Sequence, residues 1–185
     1  MKRCDWAVGV PEIYISYHDT EWGVPVYDDL KLFEMLILEG MQAGLSWLTI
    51  LNKRTSFSDA FAGFDPETVA SFSEKEMEAL LQNKAIIRNK RKCSAAVTNA
   101  AAFCRIQDEY GTFSDFIWSY VDHVPVINTF SRMEDVPAST PLSERISADL
   151  KKRGMTFVGP VIIYSFMQAV GIVNDHLTYC ELHPG

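Results

Sequence analysis

The chain has 185 residues, 48% of them hydrophobic and 12% aromatic, which suits one folded domain with a substantial core and excludes a disordered or low-complexity protein. Its net charge of −7 speaks against a uniformly basic nucleic-acid binder; the most apolar late stretch, FVGPVIIYSFMQAVGIV, is too short and too polar to read as a membrane span. Cys4, Cys93, Cys104 and Cys180 occur in a chain whose charged start has no apolar run behind it, so reduced thiols and a cytoplasmic location are expected rather than a secreted disulfide framework.

The predicted elements are helical nearly throughout. Asp28 and Asp29 precede LKLFEMLILEGMQAG, in which Leu30, Phe33, Leu36, Ile37 and Met41 recur at helical spacing. Ser46 is placed to cap WLTILNKRTSF, and Asp65-Pro66-Glu67 combines an N-cap with proline at the first helical position. Ser73 and Glu76 fit a capping box that opens a short helix to about Leu81. A long helix is predicted from about Arg88 to Tyr110 and another from Phe113 to Val121. Thr140-Pro141 opens LSERISADLKKR, which Gly154 stops, and Gly159-Pro160 opens VIIYSFMQAV. Val124 to Phe130 is ambiguous, no stretch alternates with period two, and no hairpin turn signal occurs. The expectation is a single all-α domain over residues 1–185 with eight or nine helices.

Charge is unevenly spread. From Ala79 to Gln107 there is no acid, but there are Lys84, Arg88, Lys90, Arg91, Lys92 and Arg105. A local basic face of this kind can hold phosphate on an acidic molecule; it is equally the solvated side of a helix start.

His176 and Cys180 stand four residues apart, a spacing that on a helix puts both side chains on one face. Cys4 and His18 lie near the other end, and the four make a two-Cys, two-His set typical of closed structural zinc sites. The loose Cys4–His18 spacing excludes a zinc finger and points to a clip joining the termini, which would oppose their fraying. His183 competes with His176 as a ligand, Cys93 and Cys104 compete as thiols, and each residue could equally be ordinary packing.

Trp6, Tyr14, Tyr17, Trp22 and Trp47 crowd the first third, together with Glu21, Glu39 and Gln42. Glu39 follows Leu36-Ile37-Leu38, and a carboxylate beside an apolar face is either paired or employed. The plain alternative is a glutamate at the helix rim and aromatics in the core. The pocket reading has a specific chemistry. Ring faces stack on a flat, electron-poor ring, and a carboxylate at its edge accepts from an exocyclic amine and favours positive charge. That describes an alkylated, cationic nucleobase, which must first be flipped from the duplex.

The runs RCDW, YISYHDTEWGVPVYDD, KLFEMLILEGMQAGLSWLTIL, IIRNKRK, LKKRGMTFVGP and YSFMQAVGIVNDH closely resemble the DNA-3-methyladenine glycosylase I family, over nearly the whole chain from Arg3 to Cys180. The resemblance implies a helix–hairpin–helix DNA glycosylase fold, with that motif at about residues 73–110 and Zn2+ joining residues 4–18 to 176–180. Carried over residue by residue, it implies Cys4, His18, His176 and Cys180 as zinc ligands. It implies Glu39 and Tyr17 as polar contacts to the flipped base and Trp47 as its stacking face, with Tyr14, Trp6, Trp22 and Ser165 as further walls. Lys84, Arg88, Lys90, Arg91 and Lys92, in a hairpin from Asn83 to Lys92, would hold DNA phosphates. The implied activity is monofunctional excision of 3-methyladenine from alkylated double-stranded DNA, leaving an abasic site. One departure is Ala85, where the family usually has glycine before IIRN; either the turn needs no positive φ or the DNA contact is weaker. A non-catalytic reader of alkylated DNA and an unrelated zinc hydrolase are the rival readings, and a monomer is the default for an acidic single domain.

Overall fold

In the computed structural model, which describes residues 1–185, side-chain caps set where most helices begin. The α-helices are α1 (Glu12–Thr20), α2 (Asp29–Gln42), α3 (Trp47–Leu51), α4 (Arg54–Ala60), α5 (Pro66–Ala70), α6 (Glu74–Gln82), α7 (Lys90–Tyr110), α8 (Phe113–Trp118), α9 (Pro141–Lys152) and α10 (Pro160–Ala169). Asp28 accepts from the Lys31 amide at 2.9 Å, Ser46 from Thr49 at 3.2 Å and Asp65 from Thr68 at 2.7 Å. The capping box of Ser73 and Glu76 is formed, and Thr140 makes another with Ser143.

The differences from expectation have local causes. WLTILNKRTSF breaks at Lys53, whose backbone (φ −107°, ψ 0°) leaves the helical region, so two helices stand where one was expected and the total is ten. The long helix begins at Lys90 rather than Arg88, because Asn89 is extended and its side chain accepts from the Lys92 amide. The ambiguous segment forms β1 (Val126–Ile127), which pairs in parallel with β2 (Val173–Asn174). So short a ladder offers no period-two pattern to read.

α2 is the central element. Leu32, Phe33 and every residue from Met35 to Met41 are buried, covered by α7, α8 and α10. Phe33 meets Phe103 edge-on at 5.1 Å, and Phe103 stacks on Phe113 at 4.1 Å. Gly171 (φ +70°) allows the chain after α10 to cross the Val24–Pro25 backbone, where a Cβ would sit 2.3 Å from a carbonyl carbon.

α6 and α7 form a helical hairpin through a turn over Asn83–Asn89. Asn83 organises it, its side chain accepting from the Ala85 amide at 2.9 Å. Ala85 has no positive φ, so this turn does not require the glycine. No helix is long and apolar enough to cross a membrane.

Candidate base pocket and metal centre

A cavity of about 300 Å³ opens between α1, α2, α3, α10 and the loop before α9, and is lined among others by Trp6, Tyr14, Tyr17, Trp22, Glu39, Trp47 and Ser165. All seven residues expected to form a pocket therefore share one. Tyr14 and Tyr17 lie three apart on α1, Glu39 and Gln42 three apart on α2, and Ser46 fixes Trp47 at the first turn of α3. Tyr17 and Trp47 face each other with ring centroids 5.3 Å apart, and Trp6 lies 5.3 Å from Tyr14 and 5.0 Å from Trp22.

Glu39 is not a rim residue: it is 4% exposed. Its carboxyl takes no hydrogen bond from the protein, and burial alone pushes its pKa up to about 8. The Tyr17 hydroxyl is pushed well above its ordinary range, by burial and then by Glu39. A desolvated carboxyl without a partner, at the wall of an aromatic cavity, has unused capacity for a cation or a hydrogen-bond donor. Glu21, grouped with these residues on sequence, turns away from them. It accepts from Arg54 at 2.8 Å (both nitrogens) and from Lys31 at 3.0 Å.

Beside the pocket, Cys4, His18, His176 and Cys180 are all buried, and their donor atoms lie within 4.8 Å of one another. His176 Nδ1 is 3.7 Å from Cys4 Sγ and 3.5 Å from Cys180 Sγ, which is 3.7 Å from His18 Nε2. A tetrahedral ion with zinc–sulfur and zinc–nitrogen bonds of about 2.3 and 2.0 Å spans nitrogen–sulfur edges of about 3.5 Å, so the set fits such an ion. The outer nitrogens are committed elsewhere. His18 Nδ1 bonds Asp19 at 2.8 Å, Asp19 is held by Arg3, and His176 Nε2 bonds the Trp22 carbonyl at 3.0 Å. Burial pushes the Cys4 thiol up to about 12, with Cys180 beside it adding to the rise, and burial lowers His176 to about 4. A dication at their centre would reverse the thiol penalty.

His176 and Cys180 occupy a turn after β2, not the helix their spacing suggested; the Asn174 side chain accepts from the His176 amide and Cys180 closes back on Leu177. His183, the rival ligand, bonds the Asn128 carbonyl instead. The metal set abuts the pocket wall: Trp22 meets His176 at 4.7 Å, and Trp6 meets His18 at 4.9 Å. Gly23 (φ +78°) admits this approach, since a Cβ there would be 3.1 Å from the His176 ring.

On the hairpin, Lys84, Arg88, Lys90 and Arg91 are exposed around the turn and the start of α7. Lys92 is not among them. It is buried, and its ammonium donates to the carbonyls of Met41 at 2.8 Å and Ala43 at 2.6 Å, closing the C-terminus of α2. The expectation that Lys92 faces phosphate is therefore corrected: its stem crosses to the pocket helix, and desolvation lowers its pKa.

The family model for methyladenine glycosylases matches residues 6–183. The chain belongs to the methyladenine glycosylase family. DNA-3-methyladenine glycosylase 1 of Escherichia coli strain K12 is 48% identical over 185 residues, 100% of this chain and 98% of that protein. A crystal structure of 3-methyladenine DNA glycosylase I matches with a TM-score of 0.95 at 50% identity, covering 99% of this chain and 100% of that one. A variant of such a glycosylase, in complex with 3-methyladenine, matches with a TM-score of 0.95 at 37% identity, covering 100% of this chain and 99% of that one. The enzyme thus shares the mostly helical architecture of solved methyladenine glycosylases along its full length.

Sequence reasoning missed part of this glycosylase's pocket. Tyr164 and Gln168 of α10 line it, as do Met133, Val136, Pro137 and Ala138 of the loop before α9. The one available signal was the spacing of Tyr164 and Gln168 about Ser165; nothing local marks the loop.

Proposed function

We propose that the chain is a monofunctional DNA-3-methyladenine glycosylase, which takes a flipped 3-methyladenine into the aromatic cavity and hydrolyses its N-glycosidic bond. The observation that carries this is Glu39, a buried carboxyl without a protein partner among aromatic side chains. The relative in complex with 3-methyladenine supports the choice of base. Trp47 supplies a face for the flat ring, and Glu39 and Tyr17 make polar contacts to it, Glu39 accepting from its exocyclic amine. A cationic base supplies the charge that a desolvated carboxylate lacks, whereas neutral adenine offers only hydrogen bonds.

Methylation at N3 makes the base a cation, so the glycosidic electron pair moves onto a base that leaves neutral. Water adds to the anomeric carbon and gives up its proton to solvent, leaving an abasic site. Little acid catalysis is needed; the residues orient the nucleotide and bind the charged base of the correct lesion in preference to neutral bases. No lysine lines the cavity, so no amine is placed to form a Schiff base and cut the strand.

In this reading residues 1–185 form one helix–hairpin–helix domain. Lys84, Arg88, Lys90, Arg91 and the amides at the start of α7 hold backbone phosphates of double-stranded DNA. Cys4, His18, His176 and Cys180 would hold Zn2+ with no open position for water, so the metal would secure the termini and contribute no chemistry. The test is chromatography of bases released from alkylated duplex DNA, with strand length followed on denaturing gels. Free 3-methyladenine with unbroken strands is expected. Tight binding without release would make the protein a reader of damage, and strand cleavage without alkali would overturn the monofunctional assignment.

A further inference from the structure

Asp175 is 1% exposed and lies in no ion pair, yet its carboxylate gathers three donors. Oδ2 accepts from the Tyr164 hydroxyl at 2.6 Å and from Gln168 Nε2 at 2.7 Å, and Oδ1 accepts from Asn128 Nδ2 at 2.6 Å. A buried carboxylate is tolerated only where donors replace its water, so the arrangement holds all three partners to fixed positions. Tyr164 and Gln168 stand one turn apart on α10 and both line the cavity. Asn128 does not line it, but directly follows β1, and its amide donates to the Asn174 carbonyl at 3.0 Å, extending the ladder. The chain beyond it carries Met133, Val136, Pro137 and Ala138 to the cavity. Asp175 thus sits where two walls from distant parts of the sequence meet.

We propose that Asp175 is a positioning residue for base recognition: it joins the α10 wall, through Tyr164 and Gln168, to the 133–138 wall, through Asn128, and so sets the width of the slot that takes the base. This rests on the cavity being the base pocket. Without the shared acceptor each wall can relax separately, and loss of one stacked contact to a base weakens binding by roughly 5- to 100-fold.

The test is titration of free 3-methyladenine into the full chain, followed by tryptophan fluorescence, for wild type, Asp175→Asn and Asn128→Ala. Affinity for an abasic duplex, metal content and unfolding midpoint are measured alongside. Asp175→Asn is expected to weaken base binding by roughly tenfold or more, and Asn128→Ala by several-fold, while abasic-duplex affinity and metal content stay at wild-type values. A purely structural role would move all of these readouts together. Wild-type affinity for the base in a folded Asp175→Asn protein overturns the proposal. If Asp175→Asn does not fold, Asn128→Ala decides: it touches no base, so weakened base binding supports the coupling and unchanged binding overturns it. Failure of the wild type itself to bind 3-methyladenine would instead remove the pocket assignment.

Discussion

Replacing Glu39 by glutamine should stabilise the protein as pH rises. Burial raises the Glu39 pKa from an ordinary 4.5 to about 8. Between these values the folded state binds more protons at this site than the unfolded state, so stability falls as pH increases and levels off above about 8. Each pKa unit corresponds to about 1.4 kcal/mol, so the full penalty is at most about 5 kcal/mol, and about 3 kcal/mol of it is present at pH 7. Glutamine has nearly the same shape and carries no charge to desolvate. In thermal unfolding, Glu39→Gln should therefore match wild type near pH 4.5 and exceed it at pH 8. At about 2–4 °C per kcal/mol for a chain of this size, a penalty of about 4 kcal/mol at pH 8 should open a gap of roughly 9–17 °C. Other titrating groups are common to both proteins and cancel in the difference. A difference in midpoint that does not change with pH would refute the reasoning, as would a Glu39→Gln protein less stable than wild type at pH 8.

If the four residues hold zinc as proposed, Cys4→Ser should abolish stoichiometric metal binding and destabilise the fold by several kcal/mol, and because Trp6 and Trp22 pack on His18 and His176 it should also weaken binding of free base. Metal analysis with calorimetry checks this, and unchanged stability in the metal-free protein would contradict it. Lys92 and Arg88 should separate by assay despite their common charge. Lys92→Met should lower the unfolding midpoint by loosening the end of α2, with little change in the salt dependence of DNA binding. Arg88→Ala should leave stability near wild type and reduce the salt slope by roughly one. Titrations at several salt concentrations distinguish the two.

What could be read in the sequence was largely what is local. Asp28, Ser46, Asp65, Ser73 and Thr140 act as caps because a cap involves only the next few residues. The grouping of Cys4 and His18 with His176 and Cys180 came from residue chemistry, and the structure brings all four together; the helix assumed for the second pair was wrong because i, i+4 spacing also suits a turn. Lys92 was misplaced because a count of charges does not distinguish an exposed ammonium from one buried against two carbonyls. The 133–138 wall was illegible because its place depends on a two-residue ladder and on Asn128 meeting Asp175, contacts that span 47 residues or so of sequence. Asp175 carried no signal of its own in the sequence, because its three donors stand 47, 11 and 7 residues away.

The most direct measurement is single-turnover excision of 3-methyladenine from a defined duplex by wild type and by folded Glu39→Gln. At enzyme concentrations below saturation, the expected result is release by wild type and a rate lower by roughly 100-fold in the variant, because less of the damaged base is held in place, with abasic-duplex affinity unchanged. Excision at the wild-type rate by Glu39→Gln would remove the buried carboxyl from recognition and contradict the central claim.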